Sequence, residues 1–349
     1  MSEPLSTATT AVRTPGEPVL QARGVKVRYH EPSALSRLIG RRRAGRRVLH
    51  ALDGVDLDVM PGETLALVGE SGSGKSTLAK VLVGSLPPTD GTVLFSGRTL
   101  PARRSSAMHR RIQMVFQDPY SSLNPRMTAG RMLAELVPER GEAAQQAVLT
   151  LLGTVGLGED TVTAYPSQLS GGQRQRLAIA RALAVRPDVL IADEAVSSLD
   201  VSVQATILQL LADLQRDLGL SLLFIAHNLA VVQHLCQRVA VMYLGRIVEV
   251  GDAQEIFGNP RHPYTQALID AIPRMGARRI DAAPALPGEP PSPINLPTGC
   301  RFHPRCRFAQ DICRTTDPPL VPVESDQESD RVSACHFSST FPPQARSTT

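Results

Sequence analysis

The sequence predicts an α/β fold built on a mostly parallel sheet, and three observations carry that prediction. Apolar runs at 64–68, 112–116, 188–194 and 222–226 have the length and branching of strands buried on both faces, and polar residues stand at or just after their ends. A glycine-rich turn at 69–74 joins the first run to a helical pattern that starts near Lys75. Two stretches nearer the start alternate in polarity instead, as half-buried antiparallel strands do.

Taken in order, the alternating stretches come first. Leu20, Ala22, Val25, Val27 and Tyr29 punctuate one, and Val55-Asp56-Leu57-Asp58-Val59 alternates strictly before Pro61-Gly62 ends it. The next run, Thr64–Val68, leads into Gly-Glu-Ser-Gly-Ser-Gly-Lys-Ser at 69–76. Glycines at 69, 72 and 74 allow a sharp turn that aims several N–H groups at one anion, and the positive end of the following helix faces the same point. Lys75 supplies a mobile charge for the outer phosphates, and the Ser76 hydroxyl can ligate Mg²⁺. The candidate nucleotide set is therefore Gly69, Ser71, Gly72, Ser73, Gly74, Lys75, Ser76 and Thr77. The competing reading is a bare glycine turn between strand and helix.

Three further runs place polar groups where ligands of parallel sheets bind, at the carboxyl ends of strands. Gln117 follows Ile112–Phe116 and can ligate Mg²⁺ or hold water without adding charge. Asp193 and Glu194 end the run that starts at Asp188; Asp193 is placed to hold Mg²⁺, and Glu194 to orient or deprotonate an attacking water. His227 stands at the tip of Leu222–Ala226, where it could donate to a γ-phosphate or simply cap the strand. Asp200, in Ser197-Ser198-Leu199-Asp200, belongs to a turn that could equally start the next helix. Ser170 is a natural N-cap for a helix through Gln173–Arg181, and Gly171 and Gly172 expose N–H groups at its start. Arg174, Arg176 and Arg181 are expected to be solvated or paired with acids. Helices are also expected near 143–156 and over 202–217, the latter with a core stripe of Ile207, Leu208, Leu211 and Leu214.

The phosphate loop at 69–76, followed about a hundred residues later by Leu169-Ser170-Gly171-Gly172-Gln173, resembles the ATPase cassette of ABC transporters over about residues 19–275. The resemblance implies an ABC-type P-loop NTPase with a mixed sheet core, an antiparallel edge subdomain and a helical lobe at about 118–175. It implies that Gln117 senses Mg²⁺ and touches the transmembrane subunits, and that His227 is the switch histidine. Asp200 then lies in the loop that communicates between two cassettes. Ser170, Gly171, Gly172 and Gln173 contact the partner's ATP, and Tyr29 takes the place of the ring that packs on adenine, or else packs a strand face.

Other segments narrow the family. Phe116–Arg126, Asp193–Gln204, Pro260–Leu268 and Leu286–Pro293 resemble the matching parts of bacterial oligopeptide, dipeptide and nickel importers. The resemblance extends to their C-terminal extension, expected at 276–337, and Arg37, Arg41, Arg42, Arg43, Arg46 and Arg47 make the chain more like the F-type than the D-type ATPase. It implies an ATP-hydrolysing subunit on the cytoplasmic face of the membrane. A second, non-identical ATPase, two permeases and, indirectly, a solute-binding protein are the implied partners, with di- and oligopeptides as cargo. Nickel or another solute is the alternative, and a permease-free ATPase acting on ribosomes or DNA is a more distant one.

Composition agrees. The 349 residues are 42% hydrophobic with a net charge of +4, which fits a folded chain and excludes a disorder-dominated one. No apolar run approaches the ~20 residues that span a bilayer. Residues 1–18 and 338–349 are expected to be tails, with no secretory signal in the first. The arginines at 37–47 carry no interleaved aromatics, which argues against nucleic acid. A solvated insertion and a contact with anionic headgroups both remain open. Cys300, Cys306, Cys313 and Cys335 crowd the extension while Cys236 stands apart on a helix. Their C-x5-C-x6-C spacing is not the tight pair of a zinc ribbon. A [4Fe-4S] cluster, as in some related peptide-importer ATPases, zinc, or free thiols are the readings, with His303 and His336 as possible substitute ligands.

Overall fold

The computed structural model describes residues 16–31, 47–119, 122–197, 199–226, 229–272, 288–323 and 330–340. The described strands are β1 (Leu20–Glu31), β2 (Arg47–Val59), β3 (Thr64–Val68), β4 (Asp90–Phe95), β5 (Arg98–Thr99) and β6 (Ile112–Val115). They continue with β7 (Val189–Asp193), β8 (Ser221–Ala226), β9 (Arg238–Tyr243), β10 (Arg246–Asp252), β11 (Val321–Pro322) and β12 (Val332–Ser333). The chain divides into two compact units. The first holds Met1–Gln21, Asp58–Glu63 and Leu94–Leu223, and the second Ala22–Leu57, Thr64–Val93 and Phe224–Thr349.

In the first unit β6 pairs in parallel with β7, Ile112 opposite Val189 and Val115 opposite Ala192. Every residue of β7 is buried, which is why it reads as an unbroken apolar run. Arg111 and Asp188 clamp the entry to this pair through two bonds of 2.6 and 3.0 Å. Helices Ala129–Ala134, Glu142–Thr154 and Gly171–Leu183 pack by their apolar stripes, with Leu133, Val148, Leu152, Leu177 and Ile179 inside. Val201–Leu218 buries Ile207, Leu211 and Leu214, while Leu208 is only half-buried at the edge of the stripe.

In the second unit the strand order is β11-β12-β10-β9-β3. β9 runs parallel to β3, with Leu65 opposite Arg238 and Val68 opposite Val241, and β10 turns back antiparallel to β9. The C-terminal extension contributes directly to this sheet: β12 pairs antiparallel with β10, and β11 with β12. Inside the edge, Arg331 donates to Glu249 at 2.7 Å with both side chains excluded from solvent. The Arg261 and His262 N–H groups complete the shell of that carboxylate at 2.7 and 3.0 Å. β2, β1 and β4 lie side by side in the order β2-β1-β4. Among the described residues no helix is long and apolar enough to cross a membrane.

Candidate nucleotide-binding elements

The phosphate loop lies in the second unit, between β3 and the helix Lys75–Val83. Two of its glycines have no substitute. Gly69 (φ 152°) would place a Cβ 2.1 Å from the Met242 carbonyl oxygen, and Gly74 (φ 109°) would place one 2.5 Å from that of Ala51. The loop is thus wedged between β9 and β2, and the Gly245 N–H donating to the Ser73 carbonyl at 2.8 Å pins its middle. Gly74 is the N-cap residue of the helix and makes no side-chain cap bond. Lys75 is buried, and its Nζ donates to the carbonyls of Gly69 (2.7 Å) and Glu70 (3.0 Å), which bends it back over the loop. The buried Ser73 hydroxyl has no hydrogen-bond partner within the protein. Ser71 and Gly72 are exposed at the tip, while Ser76 and Thr77 open the helix half-buried. Tyr29 stands on β1 with 41% of its surface exposed.

The first unit holds the remaining candidates. Asp193 is buried at the carboxyl end of β7, and Glu194 follows in a left-handed backbone conformation, φ 48°. A β-carbon there costs energy, and the turn around it supplies the compensation. The Ser197 N–H and hydroxyl both donate to the Glu194 carbonyl, at 3.1 and 3.0 Å. The exposed Gln117 donates to the same Ser197 hydroxyl at 3.1 Å, so Gln117 and Glu194 share one scaffold. Asp200 is the N-cap residue of Val201–Leu218, without a side-chain cap bond.

Ser170 and Gln173 form a reciprocal capping box at the start of Gly171–Leu183: the serine hydroxyl accepts from the Gln173 N–H (3.2 Å), and the Gln173 amide oxygen accepts from the Ser170 N–H (2.9 Å). Gly171 is exposed, and Gly172 is small for a packing reason, since a Cβ would meet Val203 at 2.7 Å. Arg174 and Arg176 are half-buried. They donate to the Pro166 and Val155 carbonyls, at 2.8 and 2.5 Å, and so tie the helix to the preceding turns. His227 and residues 37–46 of the basic stretch lie outside the described residues.

Two family models match the chain, an ABC transporter model over residues 52–197 and the oligopeptide/dipeptide transporter C-terminal region over 248–313. A protein of Sinorhizobium fredii described as "Probable peptide ABC transporter ATP-binding protein" is 52% identical over 296 residues, 83% of each chain. The chain belongs to the ATP-binding proteins of ABC transporters. Among solved structures it is similar to cbiO1 of Clostridium perfringens, part of the ABC transporter complex cbiONQ, at TM-score 0.58 and 28% identity over 69% of this chain and 91% of that one. It is also similar to the cassette MJ0796 in a dimer bound to ADP and phosphate, at TM-score 0.57 and 28% identity over 67% of this chain and 98% of that one. The α/β class expected from the strand pattern is thus the ABC ATPase fold, and ATP hydrolysis is the activity of this family.

The extension of the cassette brings the four clustered cysteines together. Cys300, Cys306, Cys313 and Cys335 line one cavity of about 170 Å³, with His303 and His336 also on its wall. Burial pushes the Cys300 thiol up to about 11 and Cys335 up to about 12, and it raises Cys306 as well. Each histidine already uses one ring nitrogen on a main-chain carbonyl, His303 on Cys300 (2.9 Å) and His336 on Thr316 (3.0 Å). Among the described residues no group of three or more His, Cys, Asp or Glu converges closely enough to hold a single metal ion. Cys236 is buried just after the helix Leu229–Leu235, outside this cavity.

The residues around the phosphate loop that sequence reading missed are Glu70, Asp53, Arg301 and Arg305. Arg305 donates two bonds to Glu70, and Arg301 donates to Asp53 and to the Leu244 carbonyl. Burial opposes ionisation of Asp53, but the bond and charge of Arg301, with Arg246 and His50, outweigh it and hold the carboxyl below its ordinary range. Two arginines spaced between two cysteines at 300–306 were the available signal.

Proposed function

We propose that this chain is the ATP-hydrolysing subunit that powers import of di- and oligopeptides across a bacterial cytoplasmic membrane, working from the cytoplasmic face through separate permeases. The observation that carries the reading is the combination of a complete phosphate loop with a C-terminal region of the oligopeptide/dipeptide type. The Sinorhizobium relative, described as a peptide transporter protein, supports the cargo. The arginines at 37–47 favour the F-type member of a pair, so the expected partners are a second, different ATPase, two permeases and, through them, a solute-binding protein.

The residues then divide the work. Lys75 leaves the Gly69 and Glu70 carbonyls for the β- and γ-phosphates, and the positive end of the helix that follows the loop faces the same charge. Ser76, Gln117 and Asp193 are the donors that would hold Mg²⁺, which offsets the phosphate charge. Glu194 accepts a hydrogen bond, and then the proton, from the water whose oxygen attacks the γ-phosphorus as the bond to ADP breaks. His227 donates to the γ-phosphate. Tyr29 packs on adenine. Ser170, Gly171, Gly172 and Gln173 face the ATP of the partner subunit, and Asp200 links the two sites. Cys300, Cys306, Cys313 and Cys335 would hold a [4Fe-4S] cluster, whose chemistry there is structural cross-linking or electron storage.

The test is recovery of the full chain from mild-detergent membranes, followed by peptide-stimulated ATP hydrolysis of the recovered complex in liposomes. Two permeases, a second ATPase and stimulation by peptide-loaded binding protein are expected. Recovery with ribosomal or DNA-repair proteins, or stimulation by nickel alone, overturns the peptide reading. Glu194→Gln is expected to keep ATP binding and lower turnover by about 10²-fold or more. Wild-type turnover in that variant removes Glu194 from its role.

A further inference from the structure

Glu70 is the second residue of the phosphate loop, and three separate groups hold it. Its carboxylate accepts two parallel bonds from Arg305, Nη1 to Oε2 at 2.7 Å and Nη2 to Oε1 at 2.9 Å. Its N–H donates to the Tyr264 hydroxyl at 2.8 Å. Its carbonyl accepts from Lys75 at 3.0 Å. The first two partners come from residues 194 and 235 positions away in sequence, so the C-terminal part of the chain reaches the loop that takes the phosphates.

The clamp is built rigidly. The Arg305 side chain is 5% exposed and its guanidinium stands 6.0 Å over the Tyr243 ring. Tyr243, Tyr264 and Phe302 form one aromatic cluster, with centroids 4.5 Å apart for the tyrosines and 5.4 Å from each to Phe302. The segment carrying Arg305 is a closed turn: the Arg305 N–H donates to Phe302 at 3.0 Å, that of His303 to Cys300 at 3.0 Å, and that of Cys300 to Cys313 at 2.9 Å. Two of the residues lining the thiol cavity, Cys300 and Cys306, bracket that turn. The Glu70 bond raises the Arg305 guanidinium pKa further, which keeps the guanidinium charged.

We propose that Arg305 is a positioning residue for ATP binding. By its forked ion pair with Glu70, the C-terminal extension fixes the first turn of the phosphate loop and thereby the resting place of Lys75. The inference rests on the reading of Gly69–Thr77 as the ATP seat. A planar fork matches a carboxylate at two points and a lysine ammonium does not, so Arg305→Lys keeps the charge but loosens the angle.

The experiment measures Mg-ATP affinity of the full chain by titration calorimetry, alongside thermal unfolding. Arg305→Gln and Glu70→Gln are each expected to weaken ATP binding by about tenfold, and the double variant to be no weaker than either single one. Arg305→Lys is expected to recover only part of the loss, and full recovery overturns the role of the fork. In the assembled transporter the same variants raise KM for ATP with kcat unchanged, a split that general destabilisation does not produce. Wild-type affinity in Arg305→Gln, or losses that multiply in the double variant, overturn the proposal. If Arg305→Gln does not fold, Glu70→Gln alone decides, and wild-type affinity in it overturns the proposal. Lys75→Ala is the separate arm: if it binds ATP normally, the ATP seat itself has been misread.

Discussion

Two helix starts in this chain are proposed to face ATP, and they are supported in opposite ways. The turn at Ser170 carries its own support, because Ser170 and Gln173 cap each other within four residues. The phosphate loop has no side-chain cap at Gly74 and depends on distant groups: the Met242 and Ala51 carbonyls, the Gly245 N–H, Tyr264 and Arg305. The difference has a physical reason. A glycine-rich loop has few side chains to brace it, so its shape has to be imposed from outside. A helix start that presents one edge to a ligand can spend two bonds on itself.

The largest effect that tests this contrast is expected at Gly69. Gly69→Ala puts a methyl 2.1 Å from a main-chain oxygen that cannot move without β9, so ATP binding should be lost altogether. Calorimetry showing retained affinity would break the claim that the loop is wedged. Next is Gly172→Ala, where the methyl meets the end of the Val203 side chain at 2.7 Å. That contact can relax, and a loss of about 1–3 kcal/mol in unfolding free energy is expected from denaturant titration.

Ser170→Ala should cost about 1 kcal/mol by the same measurement, the ordinary value of one N-cap. A loss several times larger would mean that the turn depends on more than its own box, and the contrast would fade.

The fourth prediction concerns the support itself. In the chain without a cluster, the Cys300 and Cys335 thiols, pushed up by burial to about 11 and about 12 from an ordinary 9.0, keep protons in the folded state that the unfolded state has released. Their contribution to stability is therefore full below pH 9 and disappears as pH rises through 11 to 12. Alkylation by iodoacetamide should be slow at pH 7.5 and accelerate about tenfold per pH unit above it. A rate at pH 7.5 equal to that of a free thiol would show that the cavity is open.

How much could be read in advance differs between these same elements. The glycine turn at 69–74, the N-cap at Ser170 and the strands that precede Gln117 and Glu194 were legible because each is encoded within a few consecutive residues. Periodicity fixed the helix at 201–218 as well, and misjudged only Leu208, whose half-burial depends on what packs at the edge of the stripe. The bond of Arg176 was not legible, since sequence cannot tell a solvated arginine from one that reaches a carbonyl, as Arg176 does to Val155.

What the sequence by itself determined is the fold class, the chemistry of the phosphate seat and the carboxylates, and the membership of the C-terminal region. These follow from backbone rules that act over a turn or a strand. Only the tertiary structure decided that four cysteines share one cavity, that Gly69 sits against Met242, and that Glu70 is held by Arg305. Contacts between residues 194 and 235 positions apart leave no periodic trace, because any pair of complementary side chains would write the same letters. The folded sheet chose the pair by bringing β9 and the turn at 303–305 to the same side of the phosphate loop.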